Sequence, residues 1–140
     1  MREKFKLAHN YDNNKNNDGV KRMKIMIVDD DDSIREILKV MLKNYEIVEA
    51  SDGLEAIEIY KQLRPDVILM DVMMPRVDGI EATKEILKLD PNAVVIGLTA
   101  FAKGKGKDLL KAGARRIIEK PFTRKKIIEI IEKLANPNSD

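Results

Sequence analysis

Asp29, Asp30, Asp31 and Asp32 stand in a row directly after Lys24-Ile25-Met26-Ile27-Val28, an apolar run that reads as a buried strand. Nothing in folding asks for that much negative charge where a strand turns into a helix. A second apolar run, Val67-Ile68-Leu69-Met70, also ends in an aspartate, Asp71, so two strand ends can bring three carboxylates into one crevice. Two such charges about 4 Å apart repel by roughly 4 kcal/mol at an effective dielectric of about 20, so the grouping invites a divalent cation or protonation. The chemistry this suits is magnesium-dependent handling of a phosphoryl group.

Such a crevice needs a scaffold, and the alternation of short apolar runs with segments of helical period supplies one. Strands are expected near 24–29, 46–49, 67–71, 93–98 and 116–119, with helices between them. The first helix begins at Asp32 or Ser33, with Ser33 and Glu36 spaced as a capping box and Ile34, Ile37, Leu38, Met41 and Leu42 facing the sheet. The second takes Asp52 as its cap, with Glu55 three residues on and Ile57, Ile59 and Tyr60 apolar, and stops before Arg64-Pro65. The third pairs Asp78 with Glu81 and ends before Asp90-Pro91. The fourth, over 103–112, is weakened by Gly104 and Gly106, each disfavoured by about 1 kcal/mol against alanine. The fifth runs from Thr123 to Leu134 with Ile127, Ile128, Ile130 and Ile131 inward, and Pro137 stops it. Together these elements predict an α/β fold: a doubly wound five-stranded parallel sheet, strand order 2-1-3-4-5, with five helices on its two faces. In such sheets ligands bind outside the carboxyl ends of the strands, between the first and third. Those ends carry Asp29, Asp30 and Asp71.

Composition narrows the rest. A chain of 140 residues that is 44% hydrophobic and 4% aromatic has the makings of one domain with an aliphatic and methionine core. The domain is expected over 23–135, preceded by an Asn-rich, unstructured extension over 1–22 that includes the lone His9, and followed by a short tail over 136–140. No run is long enough to span a bilayer and the N-terminus lacks a secretory signal, so a soluble cytoplasmic protein is expected, without membrane contact. With no cysteine and one histidine, thiol chemistry and zinc clusters are excluded. The net charge of +2 hides a segregation: residues 29–90 hold 16 acidic and 8 basic side chains, whereas residues 103–126 hold 10 basic and 2 acidic. The basic stretch is either a solvated surface or a docking face for an acidic partner.

Val28-Asp29-Asp30-Asp31, Leu69-Met70-Asp71-Val72-Met73-Met74-Pro75, Gly97-Leu98-Thr99-Ala100 and Glu119-Lys120-Pro121-Phe122 resemble the four motifs of response-regulator receiver domains, the CheY-like family. The match runs over about residues 23–135, one motif at each of four strand ends. The resemblance implies that Asp71 is the phosphoacceptor, attacking the phosphorus of a phosphohistidine on a histidine kinase or phosphotransfer protein. It implies Mg²⁺ bound by Asp30, Asp71 and the backbone carbonyl of Met73, with Asp29 holding one of its waters, and manganese is expected to substitute. It further implies that Thr99 and Lys120 hold phosphoryl oxygens, and that the Lys120-Pro121 bond is cis. Asp31 and Asp32 match no ligand position and are assigned to the positive end of the first helix.

The chain departs from the family in ways that shape its expected behaviour. The aromatic residue usual three positions before the lysine is Ile117 here, so the readout is expected to pass instead through the loop after Thr99 and the weakened fourth helix. Met73 and Phe101, two positions after Asp71 and Thr99, are bulky and apolar and are expected to hinder the water that hydrolyses the acyl phosphate. The leading reading is a stand-alone receiver with self-catalysed phosphorylation and dephosphorylation, acting on a downstream protein through the basic face around Lys103–Lys126. The alternative is a haloacid-dehalogenase-like phosphohydrolase, since Asp29 to Ser33 imitates a D-x-D-x-T motif; it leaves Asp71 without a role. Nucleic-acid binding is disfavoured because the basic stretch lacks interleaved aromatics.

Overall fold

The computed structural model describes residues 22–72, 74, 77–100 and 105–135. The expected extension with His9, Met73, Pro75, Phe101, Lys103, Gly104 and the C-terminal tail with Pro137 lie outside these residues. Five strands, β1 (Lys24–Val28), β2 (Glu46–Ala50), β3 (Val67–Asp71), β4 (Val95–Thr99) and β5 (Arg116–Glu119), form one parallel sheet in the order β2-β1-β3-β4-β5. The connecting helices are α1 (Asp32–Met41), α2 (Gly53–Leu63), α3 (Gly79–Leu89), α4 (Lys107–Ala112) and α5 (Arg124–Ala135). The expected fold class and strand order hold.

Alternation along the strands divides the core in two. Met26, Val28, Ile68 and Met70 join Ile59, Ile86 and Leu109 on the face covered by α2, α3 and α4. Ile25, Ile27, Leu69 and Leu98 join Leu38, Ile127 and Ile131 on the face covered by α1 and α5. Among the described residues no helix is long and apolar enough to cross a membrane.

The caps of α2 and α3 are those the sequence marks: Asp52 accepts from Glu55 N and Asp78 from Glu81 N. Three expectations are corrected. The α1 cap is Asp31, which accepts from Ser33 N at 2.8 Å; Ser33 is already inside the helix, and Glu36 pairs with Lys39 instead. Ile37 is 47% exposed, because it lies about 120° around the helix from the midpoint of the buried pair Leu38 and Leu42. The fourth strand starts two residues later than expected, since Ala93 N bonds back to Asp90 O in a turn. Within the described residues, α4 is only six residues long and begins without a side-chain cap.

Candidate functional site

The carboxyl ends of β1, β3, β4 and β5 open on one cleft of about 550 Å³. Asp71 closes β3, Asp29 and Asp30 follow β1, Thr99 closes β4 and Lys120 follows β5. Adjacent strand ends thus deliver all five side chains that the sequence singles out, and all five line the cleft. Carboxylate oxygens from Asp29, Asp30 and Asp71 lie within 4.8 Å of one another. The sixth expected contributor, the carbonyl of Met73, lies outside the described residues.

The pair at the bottom of the cleft is buried: Asp29 is 1% and Asp71 8% exposed, whereas Asp30 is exposed. The Asp29 Oδ1 atom accepts from Asp31 N at 2.9 Å, but Oδ2 has no hydrogen-bond partner among the described residues. Lys120 Nζ stands 3.7 Å from that Oδ2 and 3.7 Å from Asp71 Oδ1, between the two carboxylates and beyond hydrogen-bond length. Burial, with Asp29 second, pushes the Asp71 carboxyl up to about 6, against the pull of Lys120. Burial also raises Asp29, only partly offset by the Asp31 N–H and by Lys120. One lysine therefore does not neutralise the cluster.

A buried carboxylate oxygen without a partner, in a set of oxygen donors alone, fits a hard divalent cation such as Mg²⁺. Lys120 is held in place by its own backbone: its N–H donates to Thr99 O at 2.8 Å, and the following bond to Pro121 is cis, as expected. Val72 and Val77, which follow Asp71, are held from α3 and α2. Gly79 N donates to Val72 O at 3.0 Å and Gly53 N to Val77 O at 2.9 Å. A Cβ at Gly79 would come within 2.2 Å of Asp71 O and one at Gly53 within 2.0 Å of Val77 O, so neither position has room for a side chain.

Asp31, Ile34, Val72, Ala100 and Lys105 also line the cleft, and nothing in their residue types or spacing singles them out for it. Ile34 reads as helix packing and Lys105 as one more lysine in a basic stretch. Only the spatial convergence of α1 and the approach to α4 on the strand ends reveals them. Asp31 and Asp32 behave as expected of helix-end residues, Asp31 through its cap and Asp32 through an ion pair with Arg35.

A family model of the response regulator receiver domain matches residues 25–132. The chemotaxis protein CheY of Thermotoga maritima is 40% identical over 116 residues, covering 80% of this chain and 97% of that protein. CheY of Bacillus subtilis is 40% identical over 117 residues, covering 81% and 98%. Among solved structures, a CheY-like receiver domain from Methanospirillum hungatei superposes with a TM-score of 0.79 at 28% identity, over 84% of this chain and 96% of that one. The receiver domain of a Pseudomonas aeruginosa sensor histidine kinase, solved with a magnesium ion in its active-site cleft, gives 0.78 at 30% identity, over 83% and 98%. A chain of the CheX–CheY–BeF3–Mg²⁺ complex from Borrelia burgdorferi gives 0.76 at 31% identity, over 89% and 93%.

Proposed function

Because the chain belongs to the response-regulator receiver family, we propose that its two-component phosphoacceptor is Asp71 and that the cleft around it performs its own phosphorylation chemistry. The observation that carries this assignment is the meeting of Asp71 with Asp29, Asp30 and Lys120 at adjacent strand ends. At neutral pH a carboxyl titrating near 6 is mostly ionised, so Asp71 is available as a nucleophile. Its oxygen forms an O–P bond as the P–N bond of a partner's phosphohistidine breaks, and the departing imidazole takes up a proton. Asp29, Asp30, Asp71 and the carbonyl of Met73 are the groups to hold Mg²⁺, or Mn²⁺ in its place. The cation would supply the positive charge that Lys120 alone does not provide. Lys120 and Thr99 orient phosphoryl oxygens, one by charge and one by its hydroxyl.

The acyl phosphate is hydrolysed within the same cleft, slowly, because Met73 and Phe101, two positions after Asp71 and Thr99, are bulky and apolar and hinder the attacking water. The output surface is the basic face of α4, β5 and α5, where Lys105, Lys107, Lys111, Arg115, Arg116, Lys125 and Lys126 are all exposed. An acidic region of a cytoplasmic partner protein suits it. The phosphohydrolase alternative has no support in the family relationships, and it leaves Asp71 idle in the middle of the cleft.

Incubation with acetyl phosphate and Mg²⁺, followed by intact mass and peptide mapping, tests the assignment. One phosphoryl group on the peptide containing Asp71, absent in Asp71→Asn and without Mg²⁺, is the expected result. Labelling that persists in Asp71→Asn, or catalytic turnover of phosphate monoesters, would refute it.

A further inference from the structure

The loop carrying Asp29 and Asp30 is tied down by more than the strand it follows. On one side Asp29 N donates to Ala50 O at 3.1 Å, which extends the β1–β2 pairing by a residue. The carbonyl of Asp29 is taken by a side chain six residues on: Arg35 Nη1 donates to it at 2.6 Å. The same guanidinium donates from Nε to Glu49 Oε1 at 2.9 Å and from Nη2 to Asp32 Oδ1. Glu49 stands on β2 opposite Ile27 of β1, and its other oxygen accepts from Lys39 Nζ at 2.9 Å. This is not a loose surface pair, since the Arg35 side chain is 14% and that of Glu49 22% exposed. Burial would raise the Glu49 carboxyl, yet Lys39 and Arg35 together hold it below its ordinary value.

We propose that Arg35 is a positioning residue for the cation site: its planar fork fixes the peptide between Asp29 and Asp30, and Glu49 and Lys39 hold the fork. The carbonyl of Asp29 and the N–H of Asp30 share one rigid plane. Fixing that carbonyl fixes the orientation of the plane from which Asp30 departs. With Asp29 Oδ1 already bound to Asp31 N, both carboxylates then approach Asp71 from a set direction. Arg35 itself does not line the cleft, so its influence on a bound cation is indirect. A lysine at this position could not serve three acceptors in one plane.

The inference rests on the reading of Asp29, Asp30 and Asp71 as the cation site, and the test separates the two. Wild type, Arg35→Lys, Arg35→Met and Glu49→Gln are titrated with Mg²⁺ while amide NMR shifts are followed, and with Mn²⁺ by electron paramagnetic resonance. Thermal unfolding of the metal-free proteins is measured alongside. Both Arg35 variants are expected to bind the cations about tenfold more weakly, the scale on which outer supports of metal ligands act, and Glu49→Gln to fall between them and wild type. Phosphorylation of Arg35→Lys by acetyl phosphate is expected to recover toward the wild-type rate at saturating Mg²⁺, because the groups that touch the phosphoryl are intact. A folded Arg35→Lys with wild-type affinity and only a lower melting temperature overturns the positioning role and leaves the cation site standing. A wild type that binds neither cation overturns the cation site and this inference with it. Should Arg35→Met fail to fold, Arg35→Lys and Glu49→Gln decide the matter.

Discussion

Asp71 is a residue that folding alone would not choose. Its carboxyl is pushed from 3.8 up to about 6, first by burial and then by Asp29. The folded chain therefore holds this proton more tightly than the unfolded chain does, and the stability linked to it is present below 3.8 and lost as pH rises through about 6. A rise of that size corresponds to about 3 kcal/mol. Asp71→Asn is accordingly expected to stabilise the metal-free protein at neutral pH by about 1–3 kcal/mol, with the gap closing in acid. Urea unfolding in the presence of chelator across that range checks it, and a constant difference at every pH would contradict the linkage. Thr83 is another such residue, fully buried on α3 with no partner for its hydroxyl among the described residues. A buried hydroxyl left unbonded costs about 1–3 kcal/mol, so Thr83→Val is expected to raise the unfolding midpoint in the same urea assay. Of these residues only the aspartates were legible beforehand, because charge at the end of an apolar strand has no reason in folding. Arg35 and Thr83 look ordinary in sequence: their importance lies in acceptors, present or missing, that only the folded chain brings near.

At the scale of elements, α4 is the shortest of the described helices. Its single buried residue is Leu109, which sits over Gly97 of β4 and beside Ile117 of β5. A Cβ at Gly97 would come within 2.2 Å of Leu109 Cδ2 and 2.7 Å of Ile117 Cδ1. Both obstructing atoms are ends of flexible side chains, so Gly97→Ala should fold, with Leu109 displaced and α4 loosened. Faster amide exchange over residues 107–112, with β1 and β3 unchanged, is the expected outcome. Unaltered exchange in α4 would show that its seat does not depend on the missing Cβ. A phosphoryl mimic such as beryllofluoride is expected to change exchange in the same helix, the element through which the readout is expected to pass. Here the sequence was a partial guide. Caps at Asp52 and Asp78 were readable from Glu55 and Glu81 three residues on, whereas Asp31, Asp32 and Ser33 are consecutive candidates at α1, and spacing cannot tell which one leaves the helix. Of the two glycines expected to weaken the fourth helix, Gly106 stands just before α4 and Gly104 lies outside the described residues, while the seating of Leu109 over Gly97 needed the packing.

For the whole molecule, the strand order turns a linear charge pattern into a spatial one. The acidic stretch 29–90 supplies β2, β3 and α1 to α3, while the basic stretch 103–126 supplies α4, the edge strand β5 and the start of α5. Counting charges reveals the segregation, yet only the order β2-β1-β3-β4-β5 puts the basic part along one edge of the sheet. Not every base there is free for a partner: Arg124 Nε donates to Met41 O at 2.9 Å at the end of α1, and Tyr45 Oη donates to Glu132 of α5 at 2.6 Å. The first of these bonds ties the basic stretch to the acidic one at the end of α1, so Arg124→Ala is expected to act on stability rather than on docking. The exposed Lys107, Lys111 and Arg116 carry no such duty in the ion pairs of the described residues. A glutamate-rich peptide titrated into labelled protein should therefore shift amides of α4, β5 and the first turn of α5. The shifts should fade as salt rises from about 0.1 M to about 1 M and the screening length shrinks from about 10 Å to about 3 Å. Lys111→Glu with Arg116→Glu should abolish them and leave labelling of Asp71 by acetyl phosphate intact. Shifts that survive both high salt and charge reversal would mean that the basic edge is a solvated surface and that the partner docks elsewhere.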